Sequence, residues 1–142
     1  MTMRETTADR GPVPTRPGPT RRAMLALAGA VLLGPGPANA RERSAALRGV
    51  ASHDATGTVA VRRRGAGWVV EFSGDYSVTR APDPYVGFGS ADRYARRTQF
   101  AKMRSTKGAQ SYRVPAGIDP TAHGAVWVWC RRFDVPIAVA VL

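Results

Sequence analysis

The sequence is short of cysteine, of long hydrophobic runs and of the usual catalytic motifs. Cys130 is the only cysteine among 142 residues, so an intramolecular disulfide is excluded and stability must come from core packing. The longest apolar run, residues 23–33, is shorter than the ~20 residues that a membrane-spanning helix needs. There is no Gly-x-Ser-x-Gly elbow, no His-x-x-x-His zinc spacing and no Walker phosphate loop. These absences argue against esterases, helical zinc enzymes and P-loop nucleotidases.

Residues 1–40 have the features of an export signal. The pair Arg21-Arg22 precedes the apolar run, a Gly-Pro-Gly-Pro stretch at 34–37 ends it, and Ala-Asn-Ala at 38–40 matches a signal-peptidase site. The arginine pair predicts a cleaved twin-arginine-type signal peptide. We therefore expect export by the twin-arginine route to the periplasm, the cell wall or the extracellular space. An uncleaved anchor or a flexible tail is the alternative.

Acidic residues are half as frequent as basic ones, and the chain carries a net charge of +11. Residues 1–40 hold five arginines and two acidic residues, so +8 remains on residues 41–142. Nucleic acid would suit such a charge, but an exported protein meets little of it. An anionic envelope polymer or a membrane surface is the better candidate partner. A simply solvated basic surface is the other interpretation.

Short β-like runs separated by glycine, proline or polar turns dominate after a charged lead-in at 41–48. Valines alternate in 57–62, apolar residues alternate in 67–72, and a short link between these runs predicts a hairpin. Further runs lie at 84–88, 100–104, 109–114, 125–130 and 136–142, and only 91–99 predicts a helical turn. This spacing predicts an all-β domain over 49–142, an antiparallel β-sandwich or flattened barrel of about seven to nine short strands.

The run at 125–130 is the most apolar, and it ends at the cysteine. Strand alternation puts Val126, Val128, Cys130 and Arg132 on one face, and Trp127, Trp129 and Arg131 on the other. Because both faces are apolar up to Cys130, we expect a strand that is covered on both sides. We also expect it to reach solvent just after Cys130, which places that residue at the wet end of a dry strand.

Cys130 is the sharpest candidate for chemistry, and three interpretations of it stay open. It is a small buried hydrophobe, a reactive thiol whose thiolate is stabilised by Arg132 on the same strand face, or the tether of an intermolecular disulfide. His53 and His123 lie in predicted loops. Each is either a solvated side chain or a ligand for a metal or a haem iron.

Three motifs near the carboxyl end carry a family resemblance. They are Gly108-x-Gln110-x-Tyr112-x-Val114-Pro115, then Val126-x-Val128-Trp129-Cys130-x-Arg132-Phe133, and finally Ala138-x-Ala140-x-Leu142. With these motifs the chain resembles the DM-thirteen (electron transfer DM) domain family over residues 49–142. Ala81 and Pro84 depart from the family pattern, which has a glycine and an aliphatic residue there. The resemblance implies a sandwich-like all-β domain with Cys130 as the redox position, either a naked thiol or the ligand of a group such as haem.

The surroundings of the thiol can also be predicted. If the strand of Gln110 and Tyr112 lies beside 125–130, Tyr112 and Trp129 would flank Cys130 and Gln110 would be a hydrogen-bond partner. Two functions stay open. One is an exported redox or electron-transfer module centred on Cys130, whose redox partner is unknown. The other is a non-catalytic β-sandwich that binds the cell envelope and has a structural cysteine.

Overall fold

The strands of this computed structural model lie within residues 42–142, the part of the chain that it describes. The predicted signal peptide at 1–40 is outside these residues. The strands are β1 Glu42–Ala46, β2 Arg48–Gly49, β3 Ala55–Thr56, β4 Thr58–Arg64, β5 Gly67–Phe72, β6 Ser77–Val78, β7 Pro84–Gly89, β8 Ala101–Lys102, β9 Gln110–Val114, β10 Ala125–Cys130 and β11 Val135–Val141. Two short 3₁₀ helices, Arg96–Thr98 and Pro120–Ala122, complete the described secondary structure.

The strands form two main antiparallel sheets. One sheet has the order β1-β4-β5-β9 and the other the order β2-β11-β10-β7-β8, while β3 and β6 make a separate pair. The prediction of an all-β antiparallel sandwich is confirmed, and so is the predicted hairpin, which is β4–β5. The structure has eleven strands where seven to nine were predicted. The difference comes from strands of only two residues, which are too short to give a sequence pattern: β2, β3, β6 and β8. Within 42–142 there is no helix long and apolar enough to cross a membrane.

The core lies between the inner faces of the two main sheets. Strand alternation supplies these faces with valines, so that Val59 and Val61 of β4 stand beside Phe72 and Val70 of β5. From both sheets, one continuous cluster takes in the following buried residues: Val59, Val61, Val70, Phe72, Val86, Val126, Val128 and Ile137. Burial of this apolar surface is the main force that holds the sheets together.

The strand β10 lies inside its sheet between β7 and β11, and both of its faces are covered. Val126 and Val128 pack in the core, while Trp127 on the outer face joins a second cluster and is 6% exposed. The predicted two-sided burial is therefore confirmed. Neighbouring Gly87 in β7 makes room for this cover, because a Cβ there would lie 2.7 Å from the Tyr94 ring.

The charged lead-in expected at 41–48 contains two short strands. Glu42–Ala46 is the edge strand β1, paired with β4, and Arg48–Gly49 is β2, paired with β11. Charged residues are a common feature of edge strands, because they discourage further pairing. The helical turn predicted at 91–99 is reduced to the 3₁₀ helix Arg96–Thr98.

Candidate functional site

Cys130 is the last residue of β10, and its side chain is only 1% exposed. Across the sheet it is paired with Pro84 of β7 on one side and with Val135 of β11 on the other. Alternation turns the thiol inward, into the same cluster as Val128. The strand reaches solvent directly after Cys130, as predicted, because the turn 131–134 that follows is exposed. The thiol itself is in the core.

Arg132 does not share a strand face with Cys130, because β10 ends at Cys130 and Arg132 belongs to the turn. The Arg132 guanidinium lies 5.6 Å from the ring centroid of Phe133, which is itself 61% exposed. The turn therefore presents a cation and an aromatic ring to solvent above the buried thiol.

The predicted neighbours of the thiol are not arranged as expected. The strand β9, which carries Gln110 and Tyr112, lies beside β5 in the four-stranded sheet, whereas β10 lies in the five-stranded sheet. The predicted adjacency is wrong, because β9 forms its backbone hydrogen bonds with the hairpin strand β5 and not with β10. Tyr112 still shares the core cluster with Cys130, across the sandwich. The Trp129 side chain points to the opposite face from Cys130 and covers the outer side of the sheet. There it stacks on Tyr94, with 4.4 Å between the ring centroids.

Gln110 and Tyr112 form a small polar network of their own. The Tyr112 hydroxyl donates to Oε1 of Gln110 and accepts a 2.9 Å hydrogen bond from the backbone N–H of Arg104. Nε2 of Gln110 donates to the carbonyl oxygen of Ser105 at 2.9 Å. Both side chains are buried, and buried polar groups need such partners. Their role in the structure is to fix the loop that contains Arg104 and Ser105.

A row of buried side chains leads from Cys130 across the sheet. Pro84 stands beside Cys130, and its carbonyl oxygen accepts a 2.8 Å hydrogen bond from the backbone N–H of Met103. Sδ of Met103 in turn accepts a 3.2 Å hydrogen bond from the Tyr76 hydroxyl. Burial, and to a lesser degree the nearby Tyr112, raise the pKa of Tyr76, so it stays a neutral phenol. Sequence reasoning missed this row because Tyr76 and Met103 belong to separate loops.

Charged groups hold the backbone just after Cys130. The N–H of Arg131 donates to the carbonyl oxygen of Asp83 at 3.0 Å, and the two side chains form an ion pair at 3.7 Å. Lys102 binds the other carboxylate oxygen of Asp83 at 3.0 Å. The Arg131 guanidinium also lies 4.3 Å from the centroid of the Tyr85 ring. The backbone after β10 is therefore bound to the start of β7 and to the residue before it.

Asp134 clamps the other end of the turn. Its backbone has a positive φ of 54°, and its carboxylate accepts hydrogen bonds from Nε1 of Trp129 at 3.1 Å and from Nη2 of Arg96 at 2.5 Å. The Arg96 hydrogen bond, followed by the Trp129 one, holds the pKa of Asp134 below its usual range. The turn 131–134 is therefore joined to β10 through Trp129 and to the first 3₁₀ helix through Arg96.

The residues around Cys130 do not fit a haem ligated by its thiol. The side chain is almost fully enclosed between Pro84 and Val135, so a macrocycle has no space beside it. Nδ1 of His53 lies 2.8 Å from the carbonyl oxygen of Thr79. The His123 ring stacks on Phe88 at 5.7 Å. In the described part of the chain no group of three or more His, Cys, Asp or Glu residues is placed to hold a metal ion.

Residues 49–142 match the family "Electron transfer DM13". The chain belongs to this family. The match spans β3 to β11 and includes Cys130, whereas the edge strand β1 precedes it. The search of curated proteins and the search of solved structures returned no match. DM13 membership indicates a redox or electron-transfer role in general terms.

Proposed function

We propose that this DM13 domain is an exported redox or electron-transfer module and that Cys130 is its redox group. The observation that carries the proposal is the family match over 49–142. Cys130 is the only thiol of the chain and lies within the matched region. The twin-arginine-type signal at residues 1–40 supports export, since it predicts that the domain works outside the cytoplasm.

The burial of Cys130 sets a condition on this chemistry. A thiol exchanges with a disulfide only when the attacking sulfur can be reached, and in this structure it is 1% exposed. The backbone that follows it is held by the Arg131–Asp83 and Asp134–Trp129 contacts. The proposal therefore requires the turn 131–134 to open before Cys130 meets its redox partner.

A second function is favoured by the same burial. A cysteine packed in an apolar cluster behaves as a small hydrophobe, which would leave a non-catalytic module that binds the envelope through its charge. The +8 on residues 41–142 would then attract anionic polymers or lipid head groups. Retention on an anionic polymer should weaken steeply with salt, because the Debye length falls from about 10 Å at 0.1 M to about 3 Å at 1 M.

Thiol labelling tests the two functions against each other. Iodoacetamide is added to the protein recovered from the exported fraction, and the modification rate is measured without denaturant and at increasing urea concentrations. A redox thiol reached by local opening reacts in native buffer faster than the measured global unfolding rate allows. Labelling that occurs only through global unfolding would exclude Cys130 as the redox group. Cys130→Ser is the unlabelled control, and it should also abolish any redox activity.

The export part of the proposal has a separate test. Replacing Arg21 and Arg22 together by lysine should keep the protein inside the cell, because the twin-arginine route reads that pair. The mature protein should begin at Arg41 when its amino terminus is sequenced. Recovery of the intact 142-residue chain as the main exported species would contradict the cleaved signal.

A further inference from the structure

A cleft of about 910 Å³ lies beside the β4–β5 hairpin and is lined by residues other than Cys130. Its volume falls within the range of about 300–1,000 Å³ that is common for small-molecule sites. Arg63, Trp68 and Arg113 line it on the side of the sheet, and Ile118 and Asp119 line it on the side of the following loop. The cleft therefore combines an aromatic ring, an aliphatic side chain and charges.

The apolar part of the cleft is an indole platform. Trp68 is half-buried, and it packs with Ile118 against the main core. Its cross-strand neighbours are Arg63 on β4 and Val114 on β9. The Arg63 guanidinium lies 5.3 Å from the centroid of the indole ring, which is cation–π distance. The indole is therefore held in place from several sides while part of it still faces the cleft.

Two guanidinium groups stand at this platform. Nη1 of Arg113 lies 3.8 Å from the position that a Cβ on Gly67 would take, so Arg113 reaches over the hairpin strand. Among the ion pairs of residues 42–142, neither Arg63 nor Arg113 has a carboxylate partner. Nε of Arg63 donates a 3.3 Å hydrogen bond to the carbonyl oxygen of Gly65. The planar N–H fork of a guanidinium matches a carboxylate or sulfonate.

Asp119 puts one negative charge on the opposite rim. Its Oδ1 accepts hydrogen bonds from the backbone N–H and the hydroxyl of Thr121, at 2.9 and 2.7 Å. These bonds hold the pKa of Asp119 below its usual range, so the carboxylate stays ionised. It caps the second 3₁₀ helix, and it would repel a ligand with a second negative charge.

We propose that this cleft binds a small monoanion that has a flat apolar ring, such as an aromatic carboxylate. The ring packs against the part of Trp68 that faces the cleft and against Ile118, and the anionic group is bound by Arg63 and Arg113. Asp119 selects against dianions. The site is separate from Cys130, and its occupancy does not depend on the redox function proposed above.

The test uses three naphthalene probes of nearly the same shape, titrated into the full-length protein by calorimetry. Naphthoate should bind about tenfold or more tightly than the neutral naphthylmethanol, because hydrogen bonds to a charged group are lost with the alcohol. Naphthalene dicarboxylate should bind more weakly than naphthoate. Equal affinities for the acid and the alcohol, or no heat of binding for naphthoate, would overturn the proposal without involving any variant.

Variants then locate the site. Arg113→Gln should weaken naphthoate binding about tenfold and leave naphthylmethanol unchanged. Arg63→Gln should weaken naphthoate binding by at least as much, because it also removes the cation–π contact on Trp68. Arg48→Gln is the matched control, because it removes one exposed guanidinium from β2, outside the cleft. A loss with Arg48→Gln as large as with Arg113→Gln would mean general charge attraction and would contradict the site. Cys130→Ser should bind naphthoate as the wild type does, which separates this result from the redox test.

Discussion

The indole Nε1 of Trp129 donates a 3.1 Å hydrogen bond to Oδ1 of Asp134 and so joins the end of β10 to the residue before β11. Arg96 binds the other carboxylate oxygen. Between Trp129 and Asp134 lie Cys130 and the exposed turn 131–134, so this contact holds the turn that directly follows the thiol. The register between β10 and β11 shifts between Val128 and Trp129, which marks the same place as an irregular one.

Substitution of Asp134 should therefore destabilise the domain in a graded way. Asn retains an oxygen that can accept from Trp129 and tolerates the φ of 54°. Ala loses both hydrogen bonds and adopts this φ less readily. Thermal unfolding should rank wild type above Asp134→Asn, and Asp134→Asn above Asp134→Ala. An alanine variant as stable as the wild type would show that the turn is held by other contacts.

The same carboxylate predicts a dependence of stability on pH. The hydrogen bonds from Arg96 and Trp129 lower the pKa of Asp134 in the folded state, so folding favours its ionised form. Its contribution is complete above the ordinary carboxyl range and is lost as the pH falls through the lowered pKa. Urea midpoints of the wild type and Asp134→Asn should differ at neutral pH and converge in acid. A constant difference at all pH values would contradict this linkage.

Gly89 at the end of β7 should tolerate no side chain. A Cβ there would lie 2.1 Å from the carbonyl oxygen of Arg93 and 2.9 Å from Nε1 of Trp127, so the strand or the loop must move. Gly89→Ala should cost about 1–3 kcal/mol of unfolding free energy, as overpacking usually does. Gly117→Ala is the control, because a Cβ at Gly117 meets nothing within 4 Å. Equal urea midpoints for the two variants would refute the close approach.

Arg43 of β1 should matter more than its place outside the family match indicates. Its guanidinium donates to the carbonyl oxygens of Pro120 at 2.6 Å and His123 at 2.9 Å, and so holds the second 3₁₀ helix. Arg43→Ala should lower the unfolding free energy by about 1–3 kcal/mol, since it leaves partly buried carbonyl groups without donors. Arg43→Lys should lower the unfolding free energy by less than Arg43→Ala does. No change in the urea midpoint would show that the Arg43 hydrogen bonds to Pro120 and His123 do not stabilise the domain.

The sequence predicted the parts of the fold that alternation and turns determine. The two faces of β10 follow from the period of 2 alone, and the β4–β5 hairpin follows from its short link. Membership of the DM13 family was also foreseen from the motifs around Tyr112 and Cys130, and the match over 49–142 confirms it.

The candidate site was predicted less well, because its arrangement depends on which strands pair. Whether β9 joins β10 or β5 is decided by long-range contacts that local patterns do not encode, so Gln110 and Tyr112 were placed beside the wrong strand. The Arg43 contacts to Pro120 and His123 span about 80 residues of sequence and have no local signature. The redox role of Cys130 stays a prediction.

Replacement of Cys130 should reveal what kind of space the thiol occupies. The side chain is 1% exposed and packed in an apolar cluster, so a serine hydroxyl there would lack a hydrogen-bond partner. Cys130→Ser should therefore cost about 1–3 kcal/mol of unfolding free energy. Cys130→Ala removes the sulfur without adding a polar group and should be the more stable of the two in urea denaturation. If serine proves as stable as the wild type, a polar partner or water must reach this position, and access to the thiol would be easier than the closed turn implies.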